Sequence, residues 1–342
     1  MARMVRATKS NGSQLPATRH HQQLFSLPGR DPSYEAVRLD ENHADVRAFI
    51  EAMWEEYRPY ADTDFVEGSR NHDFQSRYWE LYLGCSLIRL GCELASRLKG
   101  NRPSRSLNQG PDFRTLVPFG AWIEAVAPGV GTNEDAVPEL PVGTANSVPD
   151  DEAKLRLLQA IRNKAKKRLT YVQNGLVAIG DCYVVAINTG KLPHVPDLDP
   201  PRIVRAVLGL GLPQVSVDRV SGAFSDAGFQ SQPEILRRPS GSAVSTRVFL
   251  ESEYSEHPNY AGYEGLSAVL SSNMNPFNTC EPFFDHTKFI VGDDYCLVHN
   301  PRAANPLPRG SLKVGREYWV DAAGVLQSKL WLQGRGRRSE ST

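Results

Sequence analysis

Three carboxylates in the central part of the chain have the residue types and the spacing of a divalent-cation site: Glu80, Asp112 and Glu124. Glu124 stands inside the apolar segment WIEAVA, where an ionised carboxylate costs several kcal/mol unless a cation compensates its charge. We therefore expect Glu124 to be paired with a base, protonated or bound to a metal. Two carboxylates, a backbone carbonyl and waters form the oxygen-rich set that Mg²⁺ prefers.

Glu80 falls in the segment FQSRYWELYLGCSLIRLG, which predicts a helix over about residues 74–91. Its neighbours one and two turns along, Leu83, Gly84 and Leu87, are apolar or small, so we expect its carboxylate to face packed protein. Gly84 leaves room beside it for a backbone, a side chain or an ion. A hydrogen bond to a buried backbone N–H or to a tyrosine is the alternative role for Glu80.

Asp112 and Glu124 fall in two segments that predict a β-hairpin. A Gly-Pro turn signal precedes the strand DFRTLV, and Phe119-Gly120 marks the return to the strand AWIEAVA. Asp112 then begins one strand while Glu124 lies inside its partner. At this separation two carboxylates can converge on one ion.

A long basic helix is predicted over residues 150–175, with an aspartate as its cap and Gly175 as its stop. Lys164 and Lys167 are three residues apart and share a face of this helix. The basic residues fit a solvated face, and they equally fit contact with a phosphate backbone. These two interpretations do not exclude each other.

The segment LVAIGDCYVVAIN predicts a buried strand after this helix, which completes a strand-strand-helix-strand core by residue 188. Asp181 at its start is interpreted as a turn residue. A Pro-rich connection over 189–200 is followed by the helix RIVRAVLGLGL and by the strands QVSVDR, STRVFLES, LSAVLSS and DYCLVHN. His299 at the end of the last strand is expected to have a structural role.

The helix glutamate Glu80, the pair Pro111-Asp112 and Glu124 in an apolar strand resemble the core of the PD-(D/E)xK nuclease superfamily, over about residues 76–190. The segments GPDF and WIEAVAP are also similar to those of uncharacterised bacterial proteins associated with that superfamily. The resemblance implies an α/β fold: a restriction endonuclease-like mixed β-sheet core flanked by helices, here with a mixed α+β C-terminal extension. It further implies that the strand carboxylates bind Mg²⁺ or Mn²⁺ and that the helix glutamate helps to hold the metal.

The superfamily also places a lysine two residues after the second acid, where it assists the attacking water, but this chain has Val126 there. In some members the lysine lies on the following helix, which implies Lys164 or Lys167 here and leaves the choice between them open. The Lys167-xxx-Tyr171 pair resembles the QxxxY element of nucleases of the RecB type. The implied partner is nucleic acid, DNA before RNA, and a homodimer is compatible with nucleases of this type.

The composition sets limits on these expectations. The chain has 342 residues, with 39 Lys and Arg against 39 Asp and Glu, so any attraction to a polyanion must come from local clustering. Five scattered cysteines favour a reducing compartment, and no stretch reaches the roughly 20 apolar residues of a membrane span. We expect a cytoplasmic protein with no membrane partner. The motifs GxxxxGK[ST], GxSxG and HExxH do not occur in the sequence. It therefore gives no support for a P-loop nucleotide hydrolase, an α/β-hydrolase or a zincin.

The predicted organisation has four parts: a disordered lead-in at 1–30, a helical segment plus nuclease-like core at 31–190, an α+β region at 200–330 and a flexible tail at 331–342. Three hypotheses remain for its function. The first is a metal-dependent nuclease. The second is an inactive nuclease fold that binds nucleic acid or protein. The third is a structural ion pair between Glu124 and a lysine of the basic helix, with the function elsewhere in the chain.

Overall fold

The computed structural model describes residues 23–96, 98–99, 102–103, 110–139, 141, 143, 148–193, 199–250, 262–278 and 292–331. Its helices are α1 (Pro32–Leu39), α2 (Ala44–Tyr57), α3 (Phe65–Asn71), α4 (Phe74–Arg89), α5 (Asp150–Gln173) and α6 (Arg202–Leu208). Short 3-10 helices lie at Glu41–His43 and Tyr263–Gly265. The strands are β1 (Glu93–Leu94), β2 (Leu98–Lys99), β3 (Arg102–Pro103), β4 (Phe113–Val117), β5 (Ala121–Val126), β6 (Cys182–Asn188), β7 (Leu210–Val217), β8 (Phe224–Ser231), β9 (Glu234–Leu236), β10 (Ala243–Ser245), β11 (Ala268–Ser272), β12 (Cys296–His299), β13 (Arg316–Val320) and β14 (Leu326–Leu330).

Eight strands form one mixed sheet in the order β1-β4-β5-β6-β11-β12-β13-β14. Strands β4 and β5 pair antiparallel as a hairpin, whereas β5 and β6 run parallel and are joined by the crossover helix α5. Strand β11 continues the parallel part beside β6, and β12 pairs antiparallel with β11. The strand pairs β2-β3, β7-β8 and β9-β10 are separate from this sheet.

The two faces of the sheet are covered by different helices. Successive residues of a strand point to opposite faces, and in β5 this sets Ile123 on the α4 side and Trp122 on the α5 side. On the α4 side the indole N–H of Trp79 donates to the backbone carbonyl of Ala186 in β6, at 3.1 Å. A central sheet with helices on both faces buries strands on both sides, which explains the nearly uninterrupted apolar sequence of β6.

The predicted elements around the acids are confirmed. The helices expected at 74–91 and 150–175 are α4 and α5, and the strands DFRTLV, AWIEAVA and DCYVVAIN contain β4, β5 and β6. The α/β class with a mixed sheet flanked by helices is confirmed as well. The helix RIVRAVLGLGL is shorter than predicted, because Gly209 adopts a φ of 70° and the chain leaves the helix there to enter β7. The predicted strand STRVFLES is wrong over its described residues 245–250, of which only Ser245 belongs to a strand.

The predicted parts of the chain are also corrected. Strands from both 31–190 and 200–330 belong to the same sheet, so the boundary near residue 190 does not separate two sheets. Leu24 and Phe25, placed in the disordered lead-in, are buried in the core. The sequence did not predict their burial, because the residues before this apolar pair are polar. Trp331, placed in the flexible tail, donates its indole N–H to Glu317; residues 1–22 and 332–342 lie outside the described residues.

Within the part of the chain that the structure describes, no helix combines the length and the apolar composition that a membrane crossing requires.

Candidate active site

Glu124 in β5 has no exposed surface, and its carboxylate is surrounded by donors from α5. The ammonium groups of Lys164 and Lys167 each donate to Oε1 at 2.7 Å. The hydroxyl of Tyr171 donates to Oε2 at 3.3 Å. The isolated acid of the strand is therefore ion-paired with both lysines that the sequence singled out.

Helix α5 brings these three donors to one place because they lie at helical spacings of three and four residues. The helix packs on the α5 side of the sheet through its apolar stripe, which includes Leu157, Leu158 and Ile161. The lysine side chains differ in access to solvent: that of Lys164 is 16% exposed and that of Lys167 is 49% exposed. The site is thus closed at Glu124 and open toward solvent at Lys167.

The charges in this group stabilise one another. Burial opposes ionisation of Lys167, but Glu124 and Tyr171 outweigh burial, so the pKa of Lys167 lies above its ordinary value. Burial and the negative charge of Glu124 raise the pKa of Tyr171 to about 12. Near neutral pH, Tyr171 is therefore a neutral hydroxyl donor and Lys167 a full cation.

Asp112 lies immediately before β4, where the hairpin register places it next to Glu124. Phe113 pairs with Ile123, so one further step along the two strands sets Asp112 opposite Glu124. One carboxylate oxygen of Asp112, Oδ2, accepts the backbone N–H of Ala125 at 2.7 Å. This bond fixes the half-buried acid against the neighbouring strand.

The surroundings of Asp112 disfavour its ionised form. Burial, followed by repulsion from Glu124 and then from Glu80, raises the pKa of Asp112 to about 7, although Lys164 acts in the opposite direction. A carboxylate whose pKa is strongly raised by burial and by neighbouring charged side chains is typical of functional sites.

Glu80 in α4 has protein partners on both carboxylate oxygens. The hydroxyl of Tyr57 donates to Oε1 at 2.9 Å, and Arg77 donates to Oε2 at 2.9 Å. Arg77 also lies within 3.2 Å of Asp62, whose pKa is raised to about 6 by burial and by repulsion from Glu80. The tyrosine hydrogen bond weighed from the sequence is therefore present.

The small residue beside Glu80 makes room for a side chain. A Cβ on Gly84 would lie 2.5 Å from the ring of Tyr57 and 3.2 Å from the ring of Phe113. Tyr57 thus occupies the space that the sequence left open to a backbone, a side chain or an ion, and the absence of a side chain at position 84 lets it reach Glu80.

The structure brings Glu124, Lys164, Lys167 and Asp112 together, while Glu80 contacts a different base. Among the described residues, no group of three or more His, Cys, Asp or Glu side chains is arranged to hold a metal ion. The three-acid metal site therefore stays a prediction. Sequence reasoning considered a tyrosine as a partner of Glu80 without identifying Tyr57, and it missed Arg77. Arg77 lies three residues before Glu80 on the same helix, and this spacing could have predicted their ion pair. The contact from Tyr57 comes from a different helix, and no sequence pattern indicates it.

Two further interpretations of single residues agree with the contacts. Asp181 accepts the indole N–H of Trp122 at 2.8 Å and the backbone N–H of Ala178 at 3.0 Å, as a turn residue would. His299 is buried and its Nε2 lies 2.7 Å from Oε1 of Glu317.

In the comparisons with known proteins, no family model, curated protein or solved structure matched this chain.

Proposed function

We propose that this protein is a metal-dependent phosphodiester hydrolase, a nuclease with a restriction endonuclease-like core, whose catalytic group consists of Asp112, Glu124 and the lysines of α5. Support comes first from the arrangement of the elements. A helix with Glu80, a hairpin with the two acids, a basic helix and a parallel strand follow one another in the order that the resemblance implies.

The observation that carries the proposal is the pairing of Lys164 and Lys167 with a buried strand glutamate beside Asp112. The expected lysine two residues after Glu124 is absent, and α5 supplies two ammonium groups at that carboxylate instead. Lys167 reaches solvent while its Nζ stays 2.7 Å from Glu124 Oε1. It is therefore the better placed of the two lysines to contact a water or a phosphate oxygen from outside.

Two of the three carboxylates, those of Asp112 and Glu124, are suitable ligands for a hard divalent cation. Asp112 and Glu124 are neighbouring carboxylates, and the raised pKa of Asp112 reports negative charge that a cation would offset. Both carboxylate oxygens of Glu80 accept hydrogen bonds from Tyr57 and Arg77, so we assign it no direct contact with the metal. Its role in the proposal is to contribute negative charge near Asp112. A bound Mg²⁺ or Mn²⁺ would supply a water of lowered pKa and charge stabilisation for the phosphate.

The residues of the chain have separable roles in this proposal. Lys164, largely buried, places its ammonium against the Glu124 carboxylate within an apolar strand. Tyr171 orients the second oxygen of the same carboxylate. Lys167 and the exposed Lys166 give α5 a positive outer surface that suits a phosphate backbone, and we propose nucleic acid, DNA before RNA, as the substrate. A homodimer in the cytoplasm belongs to the same proposal.

A specific observation also favours a second candidate, a structural ion pair. Glu124 has no exposed surface, and both of its oxygens accept from α5 side chains, which is a complete arrangement without a metal. In that case the two lysines and Tyr171 only fasten α5 to the sheet, and the function lies elsewhere in the chain.

The test is calorimetric titration of Mn²⁺ into the wild type and into Asp112→Asn and Glu124→Gln, followed by incubation with plasmid DNA and with single-stranded RNA. Metal binding and cleavage that are both lost in the variants support the nuclease. Binding without cleavage supports the inactive fold, and no metal binding supports the ion pair.

A further inference from the structure

A cavity lies beside the loop that joins β12 and β13, at strands that are not adjacent to β5 in the sheet. Its volume is about 470 Å³, which is within the range of small-molecule sites. It is lined by His299, Asn300, Pro301, Pro306, Leu307, Pro308, Arg309, Trp319, Val320, Asp321 and Ala322. None of these residues belongs to the proposed nuclease site.

The histidine in this cavity is held in one tautomer by an ionised carboxylate. Glu317 accepts from His299 Nε2 at 2.7 Å, from the backbone N–H of Gly310 at 2.8 Å and from the indole N–H of Trp331 at 2.9 Å. Burial would raise the pKa of Glu317, but these three donors outweigh burial and lower it. An ionised carboxylate only accepts, so Nε2 of His299 carries the proton.

The other ring nitrogen of His299 is then available to a ligand. In a neutral ring with the proton on Nε2, Nδ1 is a hydrogen-bond acceptor. Among the described residues Nδ1 has no hydrogen-bond partner, and it is not one of the sealed polar atoms that lack one. The residue is 7% exposed and lines the cavity. Such an acceptor calls for a donor from the occupant.

The other residues that line the cavity indicate the shape and the charge of a ligand that would fit it. Pro301, Pro306 and Leu307 present apolar surface, and the guanidinium of Arg309 lies 5.3 Å from the centre of the Trp319 ring. An aromatic ring fits against such walls, and an exposed guanidinium suits a phosphate. The complementary molecule is planar and aromatic, carries an N–H donor and bears a negative charge.

We propose that this cavity binds a nucleotide, with an N–H of the base donating to His299 Nδ1, the ring against Trp319 and the prolines, and the phosphate toward Arg309. The inference does not rest on the nuclease activity. The same chemistry is offered by a free mononucleotide and by the end of a nucleic-acid chain, and the experiment distinguishes these sources.

The test is calorimetric titration of the full chain with AMP, with GMP and with a short single-stranded oligonucleotide, in EDTA so that the acid cluster holds no metal. We expect saturable binding of at least one of them, at least tenfold weaker in Arg309→Met and in His299→Phe. Arg302→Met is the matched control, because Arg302 lies in the same loop but pairs with Glu264 and does not line the cavity. The affinity of this variant for the nucleotide should stay within twofold of that of the wild type. Tighter binding of the mononucleotide identifies a free ligand, and tighter binding of the oligonucleotide identifies a chain end.

His299→Phe removes a partner of buried Glu317 and can impair folding, so a spectroscopic arm uses the wild type. In ¹⁵N spectra of the histidine rings, His299 should carry its proton on Nε2, and its Nδ1 signal should move upfield as the nucleotide donates to it. Protonation of Nδ1 in the free protein, no binding by any of the three ligands, or binding that Arg309→Met leaves unchanged would each overturn the proposal.

Discussion

The ammonium of Lys164 lies 2.7 Å from Oε1 of Glu124, a carboxylate with no exposed surface. This contact joins the crossover helix α5 to the strand β5 that it covers. The same oxygen accepts from Lys167, so two positive charges compensate one buried negative charge, with the hydroxyl of Tyr171 on the second oxygen.

Removing either partner of the buried ion pair should destabilise the fold. We expect Glu124→Gln and Lys164→Met each to lower the free energy of unfolding by about 1–3 kcal/mol, because each leaves a desolvated polar group without its partner. Lys167→Met should cost less, since its side chain is 49% exposed and the pair is weakened by solvent. Urea unfolding measures the difference.

Lys166→Met is the matched control for these variants, because Lys166 lies on the same helix but is exposed. It should change the free energy of unfolding by less than about 0.5 kcal/mol. Equal costs for Lys164→Met and Lys166→Met would contradict the structural role of the Glu124 contact.

The raised pKa of Asp112 predicts a pH-dependent cost in the metal-free protein. The folded state holds the Asp112 proton up to about pH 7, whereas the unfolded chain releases it near the ordinary value of 3.8, so this group lowers stability as pH rises between these values. Asp112→Asn removes the effect and keeps an acceptor for Ala125. In EDTA, its stability relative to the wild type should therefore improve from pH 5 to pH 8, on the order of 2 kcal/mol.

Asp62 and Asp294 also have raised pKa values, but they are present in both the wild type and Asp112→Asn. Their contributions to the pH dependence of stability therefore cancel in this comparison. A stability difference that is the same at pH 5 and pH 8 would show that Asp112 ionises normally and that the acid cluster is not repulsive.

Gly84→Ala should disturb the support of Glu80. The new Cβ would meet the Tyr57 ring at 2.5 Å, so the ring must move and its hydrogen bond to Glu80 must lengthen. We expect a loss of about 1–3 kcal/mol in thermal or urea unfolding, in the range of overpacked cores. Gly129→Ala is the control, because nothing lies within 4 Å of its added Cβ. A neutral Gly84→Ala would mean that α4 and α2 separate easily at this point.

The lysines should affect metal affinity and cleavage in opposite directions. An ammonium and a divalent cation compete for the same carboxylate oxygen, so Lys167→Met should bind Mn²⁺ several-fold more tightly than the wild type. Its DNA cleavage should nevertheless fall by at least tenfold, because the group that contacts water or phosphate is gone. Weaker metal binding together with unchanged cleavage would exclude this role for Lys167.

The sequence was sufficient for the elements around the acids and for naming the two lysines of α5, but it did not identify the partners of Glu80. Periodicity and turn signals located α4, β4, β5 and α5, and the position of Glu124 among apolar strand residues already indicated that it is paired with a base, protonated or bound to a metal. The sequence left the choice between Lys164 and Lys167 open, because which of them reaches Glu124 depends on how α5 lies on the sheet, and both do. The contact from Tyr57 to Glu80 joins two helices and has no local signature. Leu24 and Phe25 show the same limit, because their burial depends on a core formed far along the chain.

The most direct test of the central claim is the nicking of supercoiled plasmid DNA in Mn²⁺ by the wild type, Asp112→Asn and Asp45→Asn, the last an exposed aspartate of α2 as control. We predict nicking by the wild type and by Asp45→Asn, and a loss of at least a hundredfold in Asp112→Asn with the fold intact by circular dichroism. Equal nicking by Asp112→Asn and the wild type would assign the activity to a contaminant, and no nicking by any of the three would contradict the nuclease and leave Glu124 with its lysines as a structural ion pair.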